Sequence, residues 1–292
     1  MRTFQCSWRG PALSRVLVTS SGLATVVAAL GLSGCGGGNN EAAVTTMSAS
    51  NIRFSRAATI SINGRNLRQG LIVETEGGCE NLTVVANGSD DTQQFTCDVL
   101  AVGQHVVHVA SSSGAFLARL RFDVPQPQVS LTTSKGNITL ELDPAAAPLT
   151  ARNFLNYVNN GFYRNVIFHR VIAGSLVQAG GYITGPVVKP ATAAAIKLES
   201  NNGLKNLRGT IGAARTTDPD SATSQWYLNV GDNAGFDYVD DTNPGYAVFG
   251  KVLTGLDAMD AISTVETRQH AATGLTNLPV TDVLITAAIQ TR

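Results

Sequence analysis

Apolar and polar residues alternate with a period of two along much of this chain, and this pattern constrains the fold more than any other feature. It is clear at 59–64, 82–85, 106–109, 116–124 and 137–142, and Gly, Asn, Asp and Ser clusters separate the runs. Successive side chains of a β-strand point to opposite faces, so alternation indicates strands with one buried face. The sequence therefore predicts a mainly β protein.

The first 34 residues have the three-part layout of a secretory signal. Arg2, Arg9 and Arg15 precede an apolar segment at 16–32 that is short and interrupted by Ser, Thr and Gly, unlike a membrane-spanning helix. Leu32-Ser33-Gly34-Cys35 resembles the lipobox of bacterial lipoproteins, in which the cysteine is lipidated; an ordinary signal peptide beside a chance cysteine is the alternative. We expect a lipoprotein signal at 1–34 and a flexible tether at 35–50.

This leader predicts a location in the bacterial cell envelope, on the periplasmic side, with the membrane reached through a lipid anchor on Cys35. No acidic residue directly follows Cys35. By resemblance to the sorting rule of lipoproteins, that favours the outer membrane over the inner one.

Charge and cysteine content narrow the function further. Of 21 basic residues three lie in the leader, so 18 remain against 21 acidic residues, and this balance does not favour nucleic-acid binding.

Cys79 and Cys97 remain as a pair once Cys6 is assigned to the leader and Cys35 to the lipid. This pair predicts a disulfide that stabilises the fold by about 3 kcal/mol. His105 and His108 are too few to complete a zinc site, so we expect no metal and no cofactor.

Two modules follow the tether. Residues 42–124 show only short alternating runs, which predicts a small β-sandwich, taken here as immunoglobulin-like, that spaces the second module from the membrane or binds a partner. Residues 125–128, with two prolines, predict a semi-rigid linker. In the second module, 129–292, a hairpin is followed by a helix capped by Thr150, with an apolar stripe formed by Ala151, Phe154, Leu155 and Val158.

An arginine interrupts the apolar stretch 166–181. Arg170 lies among β-branched and aromatic residues that predict a strand, and Gln178 lies on the next strand. Burying an unpaired guanidinium costs about 3 kcal/mol or more. Arg170 therefore either reaches solvent at a strand edge or lies at the mouth of an apolar pocket. In the second case its planar fork is free to donate to a nitrogen or carbonyl of a ligand.

Several segments, in order and at matching spacing, resemble the signatures of the cyclophilin family of peptidyl-prolyl cis-trans isomerases, in particular its bacterial periplasmic branch. They are 136–142, 147–154, 161–163, 168–172, 178–181, 208–215, 220–229 and 245–252. The resemblance covers 129–289 and implies a closed eight-stranded antiparallel barrel capped by two helices, the second near 256–262. It also implies that Arg170 and Gln178 are catalytic, and that the prolyl pocket is lined at Ser175, Leu176, Ala214, Tyr227, Phe236 and Tyr246.

The reaction itself explains why an arginine is needed. Rotation about an amide faces a barrier of roughly 18–20 kcal/mol because the nitrogen lone pair is delocalised, and both isomers are populated at X-Pro. A guanidinium that donates to the nitrogen localises this lone pair, while an apolar pocket grips the ring. No nucleophile, metal or cofactor is required.

The pocket departs from the family pattern. Ser175 occupies a position that is usually phenylalanine, Leu176 replaces methionine, Tyr227 replaces phenylalanine, and Tyr246 stands where many members have histidine. Losing an aromatic contact removes about 1–3 kcal/mol, so we expect reduced activity. Gly235 and Phe236 leave two alignments open, and in both the family's tryptophan is missing, which predicts weak cyclosporin binding.

The predicted function is therefore that of a monomeric isomerase that assists the folding of exported proteins by acting on X-Pro segments of unfolded or flexible chains. The alternative is a scaffold lipoprotein that binds proline peptides without catalysis. Five aspartates in two loops are interpreted as turn residues rather than calcium ligands: Asp218, Asp220, Asp237, Asp240 and Asp241.

Overall fold

The computed structural model describes residues 26–29 and 41–292. Lipidation of Cys35 and most of the predicted signal lie outside the described residues. The chain divides into two compact units: unit 1 runs through Ile52 and continues with Ala57–Asp98 and Gln104–Phe122, and unit 2 contains Arg53–Arg56, Val99–Gly103 and Asp123–Arg292. The limits predicted for the modules, 42–124 and 129–292, stay predictions.

Unit 1 is built from strands in two sheets. The strands are β1 (Val26–Ala29), β2 (Ala43–Ser50), β3 (Ala57–Arg65), β4 (Leu71–Glu76), β5 (Cys79–Val84), β6 (Thr92–Val99), β7 (Gly103–Ser111) and β8 (Phe116–Val124), with a 3-10 helix at Leu67–Gln69. One sheet has the order β1-β2-β3-β6-β5 and the other β4-β7-β8. The pairs β1–β2, β2–β3, β3–β6 and β4–β7 are antiparallel. Both β1, inside the predicted leader, and β2, inside the predicted tether, are strands, and they pair with each other.

Burial on most strands of unit 1 follows the alternation of the sequence. On β3, Ala58, Ile60 and Ile62 are buried, whereas Thr59 and Ser61 between them are half-buried. Cys79 on β5 and Cys97 on β6 are joined by a disulfide, with their Cα atoms 5.4 Å apart. The alternation thus identified the inner faces of β3 and β8, but not that of the run at 82–85, where Val84 is 62% exposed. The immunoglobulin-like topology stays a prediction.

Unit 2 contains one large curled sheet and a separate hairpin. Its strands are β9 (Gln128–Thr133), β10 (Gly136–Leu142), β11 (Val166–Ile167), β12 (Arg170–Ile172), β13 (Leu176–Ala179), β14 (Tyr182–Ile183), β15 (Val187–Val188), β16 (Thr210–Ala213), β17 (Trp226–Asn229), β18 (Val248–Thr254), β19 (Thr267–His270), β20 (Leu275–Pro279) and β21 (Leu284–Gln290). The order is β12-β13-β17-β16-β18-β10-β9-β21-β11-β14-β15, and β19 pairs with β20.

This sheet has eleven strands, more than the eight expected. One reason is that the chain changes partners at Phe168 and His169: β11 before them pairs with β21 and β14, and β12 after them pairs with β13. One continuous run of sequence therefore supplies two strands. Closure of the sheet into a barrel stays a prediction.

Two helices accompany the sheet, α1 (Pro148–Asn159) and α2 (Leu256–Ser263), and both were expected. The apolar stripe of α1 is buried as predicted. The predicted cap is wrong: the helix begins at Pro148, and the Glu199 carboxylate, not Thr150, accepts hydrogen bonds from the Leu149 and Thr150 amides, at 3.0 and 2.8 Å. Within the described ranges, no helix has the length and apolar character needed to cross a membrane.

Candidate active site

Arg170 and Gln178 face each other on neighbouring strands. They are direct partners in the pairing of β12 with β13, and the Arg170 Nη1 donates a hydrogen bond to the Gln178 Oε1 at 3.3 Å. Arg170 is exposed and Gln178 is half-buried. The guanidinium therefore reaches solvent and is oriented at the same time by the glutamine beside it.

The row continues across two further strands. Gln178 is the partner of Tyr227 on β17, and Tyr227 is the partner of Gly212 on β16. Residues directly opposite each other on adjacent strands point to the same face of a sheet, so Arg170, Gln178 and Tyr227 share one face. A Cβ atom on Gly212 would lie 2.3 Å from the Tyr227 Cζ. Only glycine at 212 leaves room for this ring.

Three aromatic rings meet at the end of this row. The Tyr227 ring centroid lies 5.9 Å from that of Phe236 and 6.1 Å from that of Tyr246, and Phe236 and Tyr246 are 5.3 Å apart, all edge to face. Phe236 therefore packs against both tyrosine rings, and its match to the family's aromatic position stays a prediction. The Arg215 guanidinium lies 4.7 Å from the Tyr246 ring centroid and donates to the Gly245 carbonyl, which holds that ring in place.

The Tyr227 hydroxyl points into the protein. Tyr227 is 3% exposed, and its hydroxyl donates to the Asn206 Oδ1 at 2.7 Å. Burial, followed by the neighbouring Tyr246 and Asp237, raises the pKa of Tyr227 far above its ordinary value. The hydroxyl therefore stays protonated and acts as a donor to Asn206.

The remaining predicted pocket residues lie around this group in different ways. Leu176 is buried on β13, two residues before Gln178 and so on the same face. Ala214 is half-buried, and its amide donates to the Gln225 carbonyl at 3.0 Å. Ser175 is engaged by Asn233, to whose Oδ1 its hydroxyl donates at 2.9 Å.

Gln225 belongs to this group although the sequence did not single it out as a site residue, and it contacts both Gln178 and His169. Gln178 Nε2 donates to the Gln225 Oε1 at 2.9 Å, and the Gln225 side chain also interacts with the buried imidazole of His169. A Cβ on Gly181 would lie 2.7 Å from the Gln225 Cδ. Gly181 leaves space for the Gln225 side chain, but this contact between distant positions exists only in the folded sheet, so the sequence carried no signal for Gln225.

The chemistry of the site follows from this arrangement. A guanidinium with free donors stands beside two glutamines and a set of apolar and aromatic side chains. Such a site can bind an apolar ring and donate hydrogen bonds to a polar atom next to it. Among residues 26–29 and 41–292, no three His, Cys, Asp or Glu side chains lie close enough together to hold a metal ion.

Comparison with known proteins identifies the family to which the chain belongs. Residues 128–289 match the family model described as "Cyclophilin type peptidyl-prolyl cis-trans isomerase/CLD". The chain is 45% identical over 190 residues to peptidyl-prolyl cis-trans isomerase A of Dickeya dadantii, covering 65% of this chain and 95% of that one. It is 52% identical over 142 residues to a peptidyl-prolyl cis-trans isomerase of Acinetobacter baylyi, covering 49% and 74%. It is 43% identical over 159 residues to peptidyl-prolyl cis-trans isomerase B of Escherichia coli, covering 54% and 95%. The chain therefore belongs to the cyclophilin-type peptidyl-prolyl cis-trans isomerase family.

Proposed function

We propose that this isomerase assists the folding of exported proteins, acting on X-Pro segments of unfolded or flexible chains. The observation that carries the proposal is the row formed by Arg170, Gln178 and Tyr227, which ends in the three packed rings of the predicted prolyl pocket. The row places a hydrogen-bond donor and an apolar surface on the same face of one sheet. A substrate proline and its imide nitrogen can then be bound side by side.

In the proposed mechanism, the pocket holds the prolyl ring while the chain on the other side of the imide bond rotates. An Arg170 N–H donates to the imide nitrogen as its lone pair becomes localised, which lowers the barrier of roughly 18–20 kcal/mol. Gln178 supports this step by accepting a hydrogen bond from the guanidinium, which keeps the guanidinium in one orientation. It is also available to bind the substrate backbone.

The test is Arg170→Ala in an NMR exchange assay on an Ala-Pro test peptide. We expect the rate to fall by about 10²–10³-fold, the usual cost of removing one donor aimed at developing charge. Arg152→Ala, which removes an exposed arginine of α1, is the control and should keep the wild-type rate. If the wild-type protein binds the peptide without accelerating exchange, the scaffold alternative holds and the catalytic proposal is refuted.

The proposed location is the periplasmic side of the bacterial cell envelope, with Cys35 carrying a lipid anchor in the outer membrane. Support comes from the arginines, apolar segment and lipobox-like end of the leader. The Cys79–Cys97 disulfide suits the same oxidising compartment. We expect the wild-type protein in the membrane fraction after expression in a Gram-negative host and Cys35→Ser in the soluble periplasmic fraction. Equal distribution of the two proteins would contradict the anchor.

The proposal also covers the fold of each unit and the oligomeric state. The sheet of unit 2 is proposed to close into a barrel, and unit 1 to be an immunoglobulin-like sandwich that spaces unit 2 from the membrane or binds a partner. Two sheets, with alternating burial on β2, β3, β7 and β8, support the sandwich. The protein is proposed to act as a monomer, which light scattering of the purified chain would test.

A further inference from the structure

Three asparagines lie beneath the aromatic residues of the prolyl pocket, and the sequence singled out none of them. Asn206 and Asn229 are 1% and 0% exposed, and Asn233 is half-buried. A buried amide without a hydrogen-bond partner lowers stability, so buried amides are normally hydrogen-bonded. The partners of these three side chains therefore indicate which groups they hold in place.

Asn206 is the centre of the group. Its Oδ1 accepts hydrogen bonds from the Tyr227 hydroxyl at 2.7 Å and from the Asn229 Nδ2 at 3.2 Å. Its Nδ2 and its backbone amide both donate to the Asp237 Oδ1, at 3.1 and 2.7 Å. Asp237 directly follows Phe236. One side-chain amide therefore connects the ring of Tyr227 to the segment that carries Phe236.

The network extends to Ser175. Asn233 Nδ2 donates to the Asn229 Oδ1 at 2.7 Å, and the Ser175 hydroxyl donates to the Asn233 Oδ1. Asn229 Nδ2 also donates to the Thr210 hydroxyl at 2.8 Å. Ser175 and Tyr227 are two of the positions at which this chain departs from the family pattern, and both departures introduce a hydroxyl that bonds to this network.

A connected network of buried hydrogen bonds restricts the side chains attached to it, because moving one of them leaves a buried donor or acceptor unpaired. Aromatic packing at position 175 is absent here, since that residue is serine. We propose that Asn206 is a positioning residue of the isomerase. It holds Tyr227 and Phe236 in place, so that the prolyl ring binds to a preformed apolar surface. The inference rests on the proposed function, and Asn206 acts through its neighbours without contacting substrate.

This role has a kinetic signature. The pocket holds the prolyl ring in the ground state and in the transition state alike, so loosening it weakens both by the same amount. Loss of such uniform binding raises KM and leaves kcat unchanged. A purely structural role would lower stability without moving KM.

The experiment measures KM and kcat for an Ala-Pro test peptide by NMR exchange, and peptide affinity by chemical-shift titration, in the full chain. For Asn206→Ala we expect KM to rise about tenfold with kcat within about twofold of wild type, the scale of one or two lost hydrogen bonds. Tyr227→Phe keeps the ring and removes only the hydroxyl, and should raise KM about threefold. The double variant should raise KM by less than the product of the two factors, because both changes break the same bond.

Asn159→Ala is the matched control. It removes an amide hydrogen bond from Asn159 Nδ2 to the Gln290 Oε1 at 2.9 Å, in the same unit and outside the pocket. We expect it to lower Tm and leave KM unchanged. Wild-type KM in both Asn206→Ala and Tyr227→Phe would overturn the inference. If the wild-type protein shows no isomerisation, the proposed function fails, and the affinity titration still decides the inference: weaker peptide binding by Asn206→Ala supports it, and equal binding overturns it.

Discussion

His169, next to Arg170, couples the stability of the folded protein to pH. It is 3% exposed, its ring centroid lies 4.6 Å from that of Tyr182, and its Nδ1 has no hydrogen-bond partner. Burial, and then the positive charge of Arg170, lower the pKa of His169 to about 4. The imidazole is therefore neutral in the folded protein at neutral pH.

This shift predicts how stability changes with pH. An unfolded histidine titrates near its ordinary pKa of about 6.5, so between pH 6.5 and pH 4 the unfolded chain binds more protons than the folded one. The contribution of the neutral His169 to the free energy of unfolding is therefore complete above pH 6.5. It is lost as the pH falls towards the folded-state pKa of about 4. We expect about 2 kcal/mol of this loss between pH 6.5 and pH 5.

Urea unfolding at pH 7.5 and pH 5.0 measures the effect, with His169→Gln as the variant and His270→Gln as the control. His169→Gln should lose less stability than wild type on acidification, whereas His270→Gln should match wild type. Equal losses in all three proteins would show that His169 does not titrate in this way.

At the scale of elements, the start of α1 depends on a distant loop. The Glu199 carboxylate accepts hydrogen bonds from the Leu149 and Thr150 amides and from the Thr150 hydroxyl at 2.8 Å. These amides belong to the first turn of the helix, where a preceding Ser, Thr or Asp side chain usually accepts. The helix begins after Ala147, which has no side-chain acceptor, and the negative charge also suits the positive end of the helix.

We expect Glu199→Ala to lower the free energy of unfolding by about 1 kcal/mol, the usual cost of losing an N-cap. Chemical denaturation followed by circular dichroism would measure it. Glu266→Ala removes an exposed carboxylate and should change stability by less than about 0.5 kcal/mol. A cost for Glu199→Ala no larger than that of the control would contradict the capping role.

At the scale of the whole molecule, unit 2 includes residues from the first half of the chain. The segment Arg53–Arg56 belongs to it, and in that segment Phe54 is 1% exposed. The Phe54 carbonyl accepts a hydrogen bond from the buried Gln290 Nε2 at 3.1 Å, near the end of the chain. The isomerase unit is thus not a contiguous stretch of sequence.

We expect Phe54→Ala to destabilise unit 2 by about 3 kcal/mol, since it removes a fully buried aromatic side chain. Fluorescence of the buried Trp226 during urea unfolding reports on this unit, because the other tryptophan, Trp8, lies in the predicted leader. Phe116→Ala, in unit 1 and 67% exposed, is the control and should leave the Trp226 transition unchanged. An unshifted transition in Phe54→Ala would show that the segment containing Phe54 does not stabilise unit 2.

The sequence by itself determined that the protein is mainly β, the inner faces of most strands, the two helices and the family, and it named Arg170, Gln178 and Tyr227 without showing that they form one row across three strands. These features are local: alternation is visible within a few residues, and each motif keeps its own spacing. It did not show that Gly212 makes room for Tyr227, that Glu199 caps α1, or that Asn206 supports the pocket. Each of these depends on partners between 15 and 50 positions away. Only the order of strands in the folded sheet brings such partners together, because a hydrogen bond or a steric contact depends on distance in space rather than along the chain.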